Sequence, residues 1–273
     1  MTLAFTKMQG LGNDFIILDG IDSKISLSRS QSRMLADRRL GVGCDQILLI
    51  ESDHDNGFAY RVINADGSEA EQCGNGARCV ARYLHDEQRV PESFQLTSAG
   101  GPVAVKILPG AQVQVDMGTP AFEPEQIPLR AGQRQDQYAL EIGKQTVDMT
   151  ALSMGNPHAV IQVKDIESAT VAVLGPAVQQ SNWFPQGVNV GFMQVVDSAR
   201  IRLRVFERGA GETMACGSGA CAAVVAGRLS GTLVESVMVS LSGGDLEVSW
   251  AGDEAPVLMT GPAQYTFEGN IEI

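Results

Sequence analysis

The chain has 273 residues, 44% of them apolar and only 5% aromatic, with 30 glycines; this excludes a disordered polymer and predicts a turn-rich fold long enough for two domains of similar size. A net charge of −12, without a compact basic run, excludes nucleic acid and anionic membrane surfaces as partners. With no secretory pattern at the N-terminus and no run of ~18 apolar residues, a cytoplasmic protein is expected.

In chain order, Phe15 to Leu18 reads as a strand and Leu27 to Arg39 as a helix, followed by strands over Gln46 to Ile50 and Phe58 to Ile63. A glycine-rich loop then carries Cys73, and behind it Ala77, Val80, Ala81 and Leu84 recur at helical spacing. Strands over Val103 to Leu108 and Val113 to Asp116 complete the first half, and Pro120, Pro124 and Pro128 mark the crossing to the second. There, Asp165 to Gln179 is predicted helical but broken at Gly175-Pro176. Ile201, Leu203 and Val205 alternate with Arg202 and Arg204 as a strand, and the small apolar run Ala220 to Ala226 behind Cys216 predicts a buried helix. The last predicted strand is Leu246 to Trp250.

The chain is written twice. Cys73-Gly74-Asn75-Gly76-Ala77 and Cys216-Gly217-Ser218-Gly219-Ala220 lie 143 residues apart. The same offset takes Gly12-Asn13 to Gly155-Asn156, Arg61-Val62 to Arg204-Val205, Glu69 to Glu212, Gly100-Gly101 to Gly243-Gly244 and Gly118 to Gly261. One such match is cheap in a glycine-rich chain, but a register held this far predicts two similar units related by a pseudo-twofold axis, with a functional site in the cleft between them.

Five cysteines, an odd number without C-x-x-C spacing, and only three histidines (His54, His85, His158) argue against a disulfide framework or a zinc site and for free thiols in a reducing compartment. Cys44, Cys79 and Cys221 read as small buried hydrophobes. Cys73 and Cys216 differ, because each stands at a glycine-flanked helix start, where unpaired N–H groups and the helix dipole lower a thiol pKa from ~8.5 toward ~3.5–7.5. The same N–H groups, reachable beside Gly74 and Gly217, suit a carboxylate. Two such sulfurs facing one substrate give a symmetric device: a thiolate removes the α-proton and a thiol returns one from the opposite side.

Gly12-Asn13-Asp14-Phe15, Ala65-Asp66-Gly67-Ser68, Gln72-Cys73-Gly74-Asn75-Gly76-Ala77-Arg78, Gly155-Asn156-Pro157-His158, Glu207-Arg208-Gly209 and Ala215-Cys216-Gly217-Ser218-Gly219 together give the chain its family likeness, and over essentially its whole length it resembles the diaminopimelate epimerases. The resemblance implies an α+β fold of two pseudo-symmetric repeat domains, each a mixed sheet or barrel around a central helix. Their expected extents are 1–118 with a returning strand at 264–273, and 119–263. It implies an isomerase that interconverts LL- and meso-2,6-diaminopimelate for lysine and peptidoglycan synthesis, without pyridoxal phosphate or any other cofactor, as a cytoplasmic homodimer joined near Tyr265 and Phe267.

Carried over by residue, Cys73 and Cys216 match the acid–base pair, and His158 and Glu207 match residues that tune them. Gly74-Asn75 and Gly217-Ser218 match the binders of the reacting carboxylate, while Asn13, Gln46, Asn64, Asn156, Asn189, Glu207 and Arg208 match substrate contacts. The repeat pairs Asn13 with Asn156, Gln46 with Asn189 and Asn64 with Glu207, so a duplicated pocket has become asymmetric. Arg208 is suited to clamp a distal carboxylate bidentately and Glu207 to hold the reacting ammonium. Asp66, Arg61 and Arg204 read as structural. Two rival functions share these features: a proline or hydroxyproline racemase, and a non-catalytic amino-acid binding protein.

Overall fold

The computed structural model describes residues 2–53, 57–70, 73–143, 145–252 and 254–273. Within them the chain forms eighteen strands and four helices. Two compact units result, Met1–Asp116 with Thr260–Ile273, and Met117–Met259.

The first unit contains β1 (Thr2–Gly10), β2 (Asn13–Asp19), α1 (Arg29–Ala36), β3 (Gln46–Asp53), β4 (Gly57–Asn64), β5 (Glu69–Ala70), α2 (Gly74–Asp86), β6 (Ser93–Ser98), β7 (Gly101–Leu108) and β8 (Gln112–Asp116). The second contains β9 (Tyr138–Ile142), β10 (Gln145–Ser153), β11 (Pro157–Gln162), α3 (Val171–Gln179), β12 (Asn189–Asp197), β13 (Arg200–Glu207), β14 (Gly211–Thr213), α4 (Gly217–Leu229), β15 (Ser236–Leu241) and β16 (Gly244–Ser249). Strand β17 (Leu258–Pro262) carries the chain back, and β18 (Gln264–Glu272) pairs antiparallel with β1.

The offset of 143 seen in the sequence is also the offset of the elements. It carries β1 onto β10, β4 onto β13, β6 onto β15 and α2 onto α4 without a residue of slippage. Pairing follows the same rule: β2 joins β3 in parallel with Phe15 opposite Gln46, and β11 joins β12 in parallel with His158 opposite Asn189. In the first unit the ladder runs β18, β1, β2, β3, β4, β6, β7, β8. Helix α2 touches β1, β2 and β3 from one part of that ladder and β7 and β8 from the other, so the sheet wraps around it. Helix α4 is enclosed in the same way by β10 to β13, β15 and β16.

Burial explains these patterns. Phe15 to Leu18 and Ile47 to Ile50 are buried without a break because β2 and β3 are covered on both faces, by α2 inside and α1 outside. Residues Gly219 to Gly227 of α4 are buried throughout, as their small apolar run predicts, and each enclosed valine contributes ~1.5–3 kcal/mol.

The structure corrects two helix predictions. Helix α1 occupies only Arg29–Ala36 of the predicted Leu27 to Arg39, because Ser28 forms a capping box with Gln31 at one end and Asp37 turns extended at the other. Helix α3 is not broken at Gly175-Pro176 but runs through it to Gln179. Its start is later than predicted, because Asp165 accepts the N–H groups of Glu167 and Ser168 in a turn. A Cβ on Gly175 would lie 2.7 Å from the Phe206 ring, so the glycine lets α3 seat closely on β13, and that packing outweighs the ~3 kcal/mol penalty of an interior proline. No helix among the described residues is long and apolar enough to cross a membrane.

Candidate active site

In the first unit Cys73 is the N-cap of α2, its extended backbone (φ −143°, ψ 108°) turning Sγ over the first turn to accept the Gly76 N–H at 3.4 Å. Gly12, at φ +84°, makes the turn between β1 and β2 that brings Asn13 to this sulfur. Asn13 Oδ1 receives the Cys73 thiol at 3.9 Å and the Asn75 amide at 3.2 Å, while Asn13 Nδ2 donates to Asp45 at 3.0 Å. Gln46 and Asn64 stand opposite each other on β3 and β4. Gln46 donates to Asn64 Oδ1 at 2.9 Å, and the Asn64 amide donates to Ser68 Oγ at 3.0 Å.

In the second unit Cys216 is the N-cap of α4 in the same extended conformation (φ −118°, ψ 108°), and Gly155, at φ +83°, makes the equivalent turn. Cys216 Sγ lies 3.7 Å from Ser218 Oγ, to which Asn156 Nδ2 donates at 3.4 Å. Asn156 Oδ1 lies 2.9 Å from His158 Nε2. His158 is buried, and burial, helped by the charge of Arg208, pulls its pKa down to about 3, so the ring is neutral at neutral pH. Asn189 Oδ1 accepts the Arg208 backbone N–H at 2.8 Å, and the Arg208 guanidinium donates to the Gln186 carbonyl at 3.0 Å. Glu207 receives the hydroxyl of Thr213.

The electrostatics of Cys216 correct a sequence expectation. Burial is the largest influence on its thiol, and the charge of Glu207 with the hydrogen bond to it adds to the effect, so the pKa is pushed far above the ordinary thiol value. The Gly219 N–H and the Ser218 hydroxyl pull the other way and lose. The helix start alone does not make this sulfur a resting thiolate; it rests as S–H. Asn64, uncharged, occupies the position in the first unit that Glu207 holds in the second.

Each unit thus brings its own predicted residues together: Cys73, Gly74 and Asn75 with Asn13, and Gln46 with Asn64; Cys216, Gly217 and Ser218 with Asn156, His158 and Glu207, and Asn189 with Arg208. Gln72 and His54 lie outside the described residues. Cys44, Cys79 and Cys221 are buried, and burial pushes the Cys44 and Cys79 thiols up to about 12, as fits packing residues. Arg61 pairs with Glu69 and Arg204 with Glu212 at equivalent positions, and Asp66 closes a turn on Ser68, all structural roles. Three further residues contact the site without a signal in the sequence: Thr213 on Glu207, Asp45 on Asn13, and Arg78, fully buried beside Asn75. Among the described residues no group of three His, Cys, Asp or Glu is placed to hold a metal ion.

A duplicated mixed sheet, each copy closed on a helix that begins at a cysteine, places the chain in a class of two-repeat folds. A probable proline racemase from Agrobacterium radiobacter shares it, with a TM-score of 0.71 at 14% identity over 99% of this chain and 92% of that one. The sequence narrows the class: the diaminopimelate epimerase family profile matches residues 5–123 and 150–266. A diaminopimelate epimerase of Nitrosospira multiformis is 53% identical over 100% of this chain and 99% of its own, and one of Thioalkalivibrio sulfidiphilus is 51% identical over 100% of both. The chain belongs to the diaminopimelate epimerase family.

Proposed function

We propose that the protein interconverts LL- and meso-2,6-diaminopimelate by passing the α-proton between two cysteines. The observation that carries this reading is the repetition of one device, a cysteine capping a glycine-flanked helix, at Cys73 and Cys216 in equivalent elements. The near 50% identity to named diaminopimelate epimerases over the whole chain supports the choice of substrate.

One thiolate takes the proton, breaking the Cα–H bond and forming S–H, and the opposite thiol delivers its own proton to the other face of the carbon. Cys216 rests protonated and so delivers the proton in the direction in which the thiolate form of Cys73 acts as base. In the reverse direction the roles exchange: Cys216, left as thiolate once it has given up its proton, takes the α-proton, and the Cys73 thiol returns its own to the other face. The main-chain N–H groups at Gly74-Asn75 and Gly217-Ser218 hold the reacting carboxylate and stabilise the charge that develops on it, so the step requires neither metal nor cofactor. Arg208 clamps the distal carboxylate, Asn13, Gln46, Asn64, Asn156 and Asn189 read the polar ends, and Glu207 receives the reacting ammonium. His158, neutral and bound to Asn156, holds that amide in place.

The protein acts in the cytoplasm as a homodimer in the same reading. Free cysteines fit a reducing compartment, and Tyr265 and Phe267 stand exposed on β18, a suitable joining strand. Purified protein incubated with LL-diaminopimelate, meso-diaminopimelate and the two proline isomers tests the assignment. Interconversion of the first pair alone is expected. Conversion of proline alone establishes a racemase instead, and binding without conversion removes the enzymatic reading.

A further inference from the structure

Four side chains of the first unit form a one-way line of hydrogen bonds whose polarity is set by chemistry at both ends. Arg78, fully buried, can only donate; it gives an N–H to Asn75 Oδ1 at 3.0 Å and another to the Pro262 carbonyl at 3.2 Å. Asn75 must therefore turn its amide outward, to Asn13 Oδ1 at 3.2 Å. At the far end Asp45 can only accept, and it takes Asn13 Nδ2 at 3.0 Å. The Asn13 carboxamide is oriented from both directions, with its oxygen toward Cys73.

Asp45 is itself held in place. Arg38 binds its Oδ1 at 2.8 Å while gripping Asp14 with two bonds of 2.9 and 2.8 Å, and the Asp14 N–H reaches Asp45 Oδ2 at 3.2 Å. Lys7, buried, pairs with Asp14 at 2.7 Å from the other side. An exposed carboxylate alone would position little, but one fixed by this cluster can.

The second repeat lacks both ends. The offset that carries Cys73 to Cys216 carries Arg78 to Cys221, Asn75 to Ser218 and Asp45 to Val188. There Asn156 is anchored through its oxygen by His158, and its amide faces Ser218. The two halves present opposite ends of equivalent carboxamides to their cysteine helices.

We propose that Asp45 is a positioning residue for Cys73: with Arg78 it fixes Asn13 so that an acceptor, never a donor, faces that sulfur, making the two cysteine sites inequivalent. This rests on Cys73 being one of the two acid–base groups. An acceptor beside sulfur favours S–H over S⁻. Tyr60 on β4 and Cys79 on α2, also within electrostatic reach of Cys73, are kept neutral by burial, and Arg78 carries the fixed positive charge of that helix turn.

The test follows alkylation of Cys73 against pH by mass spectrometry in the full-length protein. In Asp45→Ala the midpoint is expected to fall by about half a pH unit or more, because the freed Asn13 can turn a donor to the sulfur. Epimerase kcat should fall severalfold. Asp45→Asn, which keeps an acceptor for Asn13 without the charge, should stay near the wild-type midpoint, and in an Asn13→Ala background Asp45→Ala should shift nothing further. An unmoved midpoint in Asp45→Ala overturns the role; so does an equal shift in the Asn13→Ala background, which would report lost charge alone. The wild-type activity assay stands apart: an inactive wild-type protein overturns the functional reading, while the alkylation arms still decide the positioning of Cys73.

Discussion

Replacing Glu207 by glutamine keeps the side-chain length and an acceptor for Thr213 but removes the negative charge beside Cys216. Two unit charges ~4 Å apart interact by about 4 kcal/mol at an effective dielectric of ~20 and by about 1 kcal/mol in water. Glu207 is half-buried, so an intermediate value of about 2 kcal/mol applies, and removing the charge lowers the Cys216 pKa. The thiol stays above its ordinary value because burial, the larger influence, is untouched. At a fixed pH below the midpoint the thiolate fraction rises ~30-fold, and its lower basicity costs part of that gain, leaving alkylation roughly sixfold faster. A short iodoacetamide pulse at pH 8, quenched in acid and read on the Cys216 peptide, measures the ratio, with buried Cys44, Cys79 and Cys221 as internal references. An unchanged or slower Cys216 in a folded Glu207→Gln protein would refute the assignment of Glu207 as the charge that holds this thiol protonated.

Cys73→Ala and Cys216→Ala should each abolish epimerisation in both directions while Tm moves by no more than about 4 °C; near-normal turnover in either variant contradicts the two-base scheme. Gly227→Ala should destabilise the second unit by ~1–3 kcal/mol, since its Cβ would lie 2.2 Å from Leu233 Cδ1, and a urea midpoint equal to wild type would show that Leu233 yields freely. His158, with a folded pKa of about 3 below an unfolded value of ~6.5, contributes stability that is fully present above pH 6.5 and lost as pH falls toward 3. That loss reaches about 2 kcal/mol by pH 5, so urea midpoints should fall less steeply between pH 6.5 and 5 in His158→Gln, and parallel slopes would place the histidine elsewhere.

The repeat was legible because duplication preserved spacing: Arg61 with Glu69 and Arg204 with Glu212 recur as the same ion pair, and the strands that carry the arginines, β4 and β13, are eight residues each. The buried character of α4 was legible from its run of alanines and valines. The passage of α3 through Pro176 was not, because it depends on Phe206 receiving Gly175, a contact between residues 31 positions apart. At the site, the cysteines and amides could be found as repeated residues. The protonation of Cys216 could not, since local helix geometry points one way while burial and Glu207 point the other. Arg78 and Asp45 escaped for a different reason. They interrupt the repeat, with Cys221 and Val188 at the matching positions, and a search for what the halves share passes over what only one half possesses.

The most direct test is isotopic. In D2O, LL-diaminopimelate converted to its meso form over early turnover should carry deuterium at the inverted α-carbon while recovered substrate remains protium-labelled there, because separate groups remove and deliver the proton. Recovered substrate labelled as fast as product, or product formed without deuterium, would contradict proton transfer by two opposed thiols.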